Sequence, residues 1–271
     1  MERADKFLIP SEVVKIAKTL EKGGFEAYFI GGCVRDLLLN RQPKDWDITT
    51  NATPEKISSL FTETFYENDY GTVGVVTGSE DESLKVVEIT PYRLEGGYSD
   101  KRRPDSVSWS SKVEDDLKRR DFTINAIALS GTGELIDLFG GQKDLVKKTV
   151  RTVGDPNARF NEDALRILRA VRIAVELDFT IESGTQDAIA FHAKHLKGIA
   201  PERVRDEFLR ILVSPRPHIG LILSQKLGLL KYIAPELEEG IGVAQNQAHA
   251  FDVFEHITRT VEHAAKKEFT L

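Results

Sequence analysis

Two aspartates one residue apart, Asp45 and Asp47, close the run GGCVRDLLLNRQPKDWDITT at residues 31–50. Trp46, Ile48, Thr49 and Thr50 favour a strand, and alternate residues of a strand share a face, so the two carboxylates are expected side by side. Anions that close repel, and the relief is either a raised pKa on one of them or a bound divalent cation. Mg²⁺ suits the pair, because it takes few protein carboxylates, keeps several waters and completes its shell with phosphate oxygens. Gly31 and Gly32 precede a helix signal at Val34–Leu39, which places backbone N–H groups where an anion could dock. In KVVEIT, Glu88 lies in a β-rich run and is a candidate third carboxylate if that strand neighbours the first. The bland alternatives are a solvated loop pair for Asp45 and Asp47 and an exposed strand residue for Glu88.

The elements that must position these groups divide near residue 140. Before it, β-rich runs at Ala27–Ile30, Trp46–Thr50, Thr72–Thr77 and Leu84–Thr90 alternate with helical patterns at Ser11–Lys22 and Pro54–Phe61, as in a mixed α/β domain. After about Gly141 the periodicity is almost wholly helical. EDALRILRAVRIAVEL carries a broad apolar stripe, and further helices are expected at 182–196, 201–213, 215–227 and 249–267.

Composition narrows the class. A chain of 271 residues with 41% hydrophobic content can bury a sizeable core. No run approaches the roughly 18 apolar residues of a membrane span, and MERADKFLIP lacks the apolar core of a secretion signal, so a cytoplasmic location without membrane partners is expected. The single cysteine, Cys33, reads as a small packed side chain. The net charge of −6 disfavours non-specific nucleic-acid binding on average, yet basic clusters occur at Lys101–Arg103, at Lys118–Arg120, and at Arg159, Arg166, Arg169 and Arg172.

Six motifs then recur in order. GGCVRDLLLNRQPKDWDITT, YRLEGGYSDKRRPDSV, RRDFTINAIAL, DLFGGQKDL, GDPNARFNEDALRILRA and APERVRDEFLRIL closely resemble the bacterial (class II) tRNA nucleotidyltransferase and poly(A) polymerase family, over residues 25 to about 260. The resemblance implies a polymerase-β-like α/β head followed by an all-helical neck and body. It places Gly31, Gly32 and Arg35 near the incoming triphosphate and makes Asp45 and Asp47 ligands of two Mg²⁺ ions. Two-metal phosphoryl transfer fits that role, since it depends mostly on positioning and charge neutralisation. Arg119, Arg120 and Asp121 match the motif linked with the nucleotide's ribose and phosphates, with Asn125 one helical turn on. The alternative there is a structural ion-pair knot around Asp121.

For specificity, Glu162, Asp163 and Arg166 match the family's EDxxR motif on an expected helix, and Arg169 joins the nucleotide-binding set. Residues at i and i+3 share a helix face, so Asp163 and Arg166 can present an acceptor beside a donor fork. Cytosine and adenine satisfy that pair, whereas uracil and guanine present the reverse order and leave buried groups unpaired. The bland alternative is an i, i+3 ion pair. EGGYSDKRRPDSVSW resembles the flexible loop of enzymes that add the whole CCA end, with Arg102 and Arg103 able to approach the triphosphate. Tyr70, Gly71, Thr72 and Val73 also resemble the tRNA-maturing branch. Glu202 and Arg203 look like the last neck motif, supporting the nucleotide-binding helix indirectly. His192 and His195 read as surface residues.

The implied organisation is a head at 1–140, a nucleotide-selecting and RNA-binding neck at 141–235, and the start of a helical, HD-like body at 236–271 that stops early. His249, His256 and His263 read as helix-face residues, because the doublet and distal aspartate of an HD metal site do not follow. The implied activity is addition of C, C and A from CTP and ATP to the 3′ end of tRNA. An A-adding enzyme working with a CC-adding partner, a poly(A) polymerase and an inactive RNA-binding homologue stay open beside it, and an HD phosphohydrolase would need the missing ligands.

Overall fold

Helix α1 (Ser11–Lys22) forms because Val13, Ile16, Ala17 and Leu20 fall on one face, and all four are buried. The chain continues through β1 (Tyr28–Ile30), α2 (Gly32–Leu38) and β2 (Trp46–Thr50). Helix α3 (Pro54–Leu60) starts with proline at its first position, where Thr53 Oγ1 accepts a hydrogen bond from the Lys56 N–H. Strands β3 (Thr64–Tyr66), β4 (Val73–Val76) and β5 (Val86–Pro91) follow. A separate hairpin of β6 (Arg93–Gly96) and β7 (Ser106–Trp109) leads to α4 (Val113–Lys118), β8 (Ala128–Ser130), β9 (Leu135–Ile136) and α5 (Gly141–Val146). This computed structural model describes residues 7–66, 71–98, 105–245 and 250–267.

Seven of these strands form one mixed sheet, ordered β3-β4-β5-β2-β1-β8-β9. Only β2 and β5 pair in parallel, and their register sets Asp47 opposite Glu88. Ile48, Thr49 and Thr50 of β2 are buried, so the strand is firmly anchored just beyond Asp47. The first compact unit runs to Lys147 and therefore includes α5, beyond the expected boundary at 140. The reason is a close approach: a Cβ on Gly141 would stand 2.2 Å from the Thr123 carbonyl oxygen.

The second unit, from Lys148, holds β10 (Thr149–Val150), α6 (Pro156–Glu162), α7 (Leu165–Leu177), β11 (Thr180–Ile181), α8 (Ser183–His192), α9 (Pro201–Leu212), α10 (Pro217–Lys226), α11 (Leu230–Ile233), α12 (Pro235–Glu238) and α13 (Val253–Lys266). It is helical as expected except for β10 and β11, a short parallel pair too brief to register as a pattern. Helix α7 is its axis, with Leu165, Ile167, Leu168, Ala170, Val171, Ile173, Ala174 and Val175 all buried. Gly220 lets α10 close on α9, since a Cβ there would meet Ile211 at 2.5 Å.

The helix expected across Glu162, Asp163 and Arg166 is broken. Asp163 adopts an extended conformation between α6 and α7, and its Oδ1 accepts from the Leu165 N–H at 3.0 Å. An aspartate that can cap a new helix competes with continuation of the old one. Helix α4 likewise ends at Lys118, and Thr123–Asn125 form a separate 3₁₀ turn, so Asn125 is not one turn along a helix from Asp121.

Candidate active site

Each unit carries its own part of the expected site. In the first, Gly31 follows β1, and its φ of +80° opens the turn into α2. A side chain would be strained in that conformation and would also intrude, because a Cβ there would stand 3.0 Å from Arg120 Nη1 and 3.1 Å from Asp47 Oδ2. Gly31, Asp47 and Arg120 thus surround one corner. Gly32 follows as the first residue of α2, with Arg35 on the same helix. Arg35 Nη1 donates to Asn125 Oδ1 at 3.0 Å and its guanidinium pairs with Asp36 at 2.9 Å, tying α2 to the 3₁₀ turn.

Asp47 stands half-buried in β2, whereas Asp45 is exposed in the bend before it. The strand geometry therefore covers only one of the two aspartates. They still sense one another: burial pushes the Asp47 carboxyl up to about 6, Arg120 opposes the rise, and Asp45 and Asp116 add to it. Glu88 is exposed on β5 in register with Asp47. Among the described residues no three His, Cys, Asp or Glu side chains gather into a ready-made metal cluster. A carboxylate whose charge is disfavoured by burial and by neighbouring like charge nevertheless suits a small cation, which relieves both, and one or two carboxylates are the usual protein share of an Mg²⁺ shell.

An ion-pair knot is present next to the RRD run, but it is not built around Asp121. Its acid is Asp116 of α4, which is fully buried and shared by two arginines. Asp116 Oδ1 accepts from Arg119 Nε at 2.9 Å, and Oδ2 accepts from Arg120 Nη2 at 3.1 Å. Arg119 also reaches Glu95 at 3.3 Å, and Arg93 pairs with the same glutamate at 2.7 Å. Asp121 instead accepts from the Phe122 N–H at 2.8 Å. Sequence reading missed Asp116, although its spacing to Arg119 and Arg120, at i+3 and i+4 along α4, was a usable signal. Glu95 and Arg93 carried no such signal.

In the second unit Asp163 and Arg166 are both buried, 9% and 8% exposed, but each is held by a different partner. Asp163 Oδ2 accepts from Arg203 Nη2 at 3.2 Å, and Arg166 pairs with Glu162 at 2.7 Å. Arg203 of α9 therefore supports Asp163 directly, while its motif neighbour Glu202 is exposed. Arg203 Nη1 is buried with no hydrogen-bond partner among the described residues, a spare donor beside Asp163. Arg169 approaches Glu207 at 3.7 Å and Arg172 pairs with it at 2.7 Å, so Glu207, a buried acid the sequence did not flag, orders this face of α7.

His192 is not a surface residue. It is 3% exposed, packs edge-on against Phe191, and its Nε2 lies 3.0 Å from Asn157 Oδ1. His195 is half-buried with Nδ1 at 3.4 Å from His192 Nδ1. His256 and His263 are exposed on α13. Arg102, Arg103, Tyr70 and His249 lie outside the described residues. No helix among the described residues is long and apolar enough to cross a membrane.

Sequence models of two families match the chain. The poly A polymerase head domain covers residues 27–151, and a domain described as "Probable RNA and SrmB-binding site of polymerase A" covers 178–241. A CCA-adding enzyme of Lactobacillus helveticus (strain DPC 4571) is 47% identical over 219 residues, which is 79% of this chain and 53% of that protein. The crystal structure of the Bacillus stearothermophilus CCA-adding enzyme in complex with CTP matches with a TM-score of 0.76 at 39% identity, over 85% of this chain and 56% of that one. A tRNA nucleotidyltransferase complexed with a primer tRNA and an incoming ATP analogue matches at 0.70 and 27% identity, over 96% and 71%. The chain thus spans about half the length of the curated relatives it matches.

Proposed function

Because the chain belongs to the tRNA nucleotidyltransferase and poly(A) polymerase family, with a polymerase-β-like head and a helical region after it, we propose that it adds C, C and A from CTP and ATP to the 3′ end of tRNA. The observation that carries the reading is the Gly31 corner, where a backbone turn without a side chain leaves room between the Arg120 guanidinium and the Asp47 carboxylate. A triphosphate needs such a place, with cations for its oxygens beside carboxylates for its metal. The relatives named CCA-adding enzyme, at 43–47% identity, favour this activity over poly(A) synthesis.

In this reading Asp45 and Asp47 hold Mg²⁺, with Glu88 on the adjoining strand as the further carboxylate. Bound there, the metal supplies charge neutralisation at the reacting phosphate and lowers the pKa of the attacking hydroxyl. Gly31, Gly32 and Arg35 cradle the triphosphate, and Arg119 and Arg120 neutralise its oxygens. Asp121 accepts from the ribose, which favours ribonucleotides, and Asn125, held by Arg35, completes the nucleotide-binding set. In the second unit Asp163 and Arg166 read the base edge by accepting and donating, and their separate anchors keep them from neutralising one another. Arg169 completes that surface, and Arg102 and Arg103 approach the triphosphate. We assign the first unit to catalysis and the second to base selection and RNA binding, in the cytoplasm.

The test supplies three tRNA transcripts, ending before CCA, after C and after CC, with Mg²⁺ and CTP, ATP or both. Completion of CCA on the shortest transcript is expected. Addition of A to the CC transcript alone would replace this reading with an A-adding enzyme, and long A tails would replace it with a poly(A) polymerase.

A further inference from the structure

The head contains a buried anion, Asp116, that is itself neither an expected metal ligand nor an expected nucleotide contact but grips two arginines that are. Asp116 is fully buried, and its two oxygens divide their work, Oδ1 toward Arg119 and Oδ2 toward Arg120. Burial alone would raise its pKa, but the two guanidiniums overcome that and hold it below the usual carboxylate range, so it stays charged at neutral pH. Arg120 commits both Nε, at 3.3 Å, and Nη2, at 3.1 Å, to this one oxygen. Its remaining arm, Nη1, is the atom that faces the Gly31 corner, where Asp47 Oδ2 flanks the same point. The guanidinium and the Asp47 carboxylate are therefore within about 6 Å, close enough for strong attraction in a partly buried site. A side-on grip on Nε and Nη2 opposes that attraction, because a planar fork cannot serve Asp116 and also turn its full edge to Asp47.

We propose that Asp116 is a positioning residue that holds Arg120 away from Asp47, so that Asp47 stays open to a divalent cation while Arg120 Nη1 remains aimed at the phosphate corner. Without Asp116, the arginine closes on Asp47 and competes with the metal for it. A knot that merely stabilised the head would have no such effect on a cation. The inference rests on Asp47 being a cation ligand, as proposed above.

The test needs no turnover. Mn²⁺ binding to the whole chain, without nucleotide, is followed by electron paramagnetic resonance in the wild type, Asp116→Asn, Arg120→Gln and the double variant. Asp116→Asn should weaken Mn²⁺ about tenfold when Arg120 is present and less than about threefold when residue 120 is glutamine, the difference being the coupling that a double-mutant cycle isolates. Equal weakening in both backgrounds, or none in either, overturns the proposal. If circular dichroism shows the single Asp116→Asn protein unfolded, Arg120→Gln and the double variant carry the test: binding within about threefold supports the proposal and a larger gap overturns it. Asp47→Asn separates the two layers. Mn²⁺ binding that survives this change removes the metal reading and the inference with it, whereas lost binding combined with an uncoupled cycle removes the role of Asp116 alone.

Discussion

The two units fix their arginines by opposite strategies. In the head a single buried aspartate, Asp116, serves two arginines three and four residues along the same stretch. In the neck the functional groups are anchored one by one, and two of the anchors come from far along the chain: Arg203 holds Asp163, and Glu207 holds Arg172. Under the proposed function this difference has a use. A triphosphate presents many equivalent oxygens, which a fixed block of positive charge would serve, whereas a base edge presents one donor and one acceptor, for which Asp163 and Arg166 would need independent orientations rather than a mutual ion pair.

Asp47→Asn should lower nucleotide transfer by about 10²–10³-fold or more, the scale of losing one preorganised electrostatic group, with all four nucleotides affected alike in a single-turnover assay. Equal rates for variant and wild type would remove Asp47 from the chemistry. Asp163→Ala should act in the other sense, lowering CTP and ATP incorporation less than it raises the share of UTP and GTP accepted, as measured by competition among the four. Unchanged selectivity would take Asp163 out of the base-reading surface.

Arg203→Ala tests whether the neck's long-range anchors matter as much as the groups they hold. It leaves a buried carboxylate without its cation, a loss of about 1–3 kcal/mol in stability together with partial loss of base selection. A variant that melts early but selects normally would reduce Arg203 to a structural role.

The pH dependence separates the two buried acids of the head. Asp47 has a folded pKa raised from 3.8 to about 6, so the folded, metal-free chain binds the extra proton and its stability should fall as pH rises through that window. Asp116 is shifted the other way, so its contribution is present above the ordinary carboxylate pKa and is lost as pH falls through its lowered value. Calorimetry in the presence of a chelator should show Asp47→Asn flattening the first slope, with the acid limb retained. The smallest effect concerns Cys33. Its thiol is pushed up to about 12, mainly by burial and then by the Asp47 charge, and its Sγ donates to the Ile30 carbonyl oxygen at 3.1 Å. Thiol reagents at pH 8 should leave the native protein unlabelled, and ready labelling would mean that the β1–α2 turn opens.

Local patterns were legible where the chain itself holds the cause. Helix α1 and strand β2 occur over the spans their periodicity indicated, because a stripe of Val13, Ile16, Ala17 and Leu20 and a run of β-favouring residues each need only burial to be realised. The EDxxR stretch looks helical for the same reason, yet it breaks where the Asp163 carboxylate accepts from the Leu165 N–H just ahead of the helix that follows. Periodicity reports which residues face the core and is blind to a side chain capturing a backbone N–H two residues ahead. The burial of His192, 3% exposed, has no local signature: its hydrogen-bonding partner Asn157 lies 35 residues back on α6, and its ring neighbour Phe191 is itself mostly exposed.

The inventory is written in the chain: the Gly31–Gly32 turn, the Asp45 and Asp47 pair, the basic RRD run and the six ordered motifs that mark the family. These depend on residue type and short spacing, and both survive without a fold. The pairings come from packing. Sheet register brought Glu88 beside Asp47 across 41 residues, and helix packing brought Arg203 to Asp163 across 40. Which charge meets which depends on geometry at the scale of a few ångströms, because Coulomb attraction and hydrogen bonding both vanish into solvent screening once groups are left further apart.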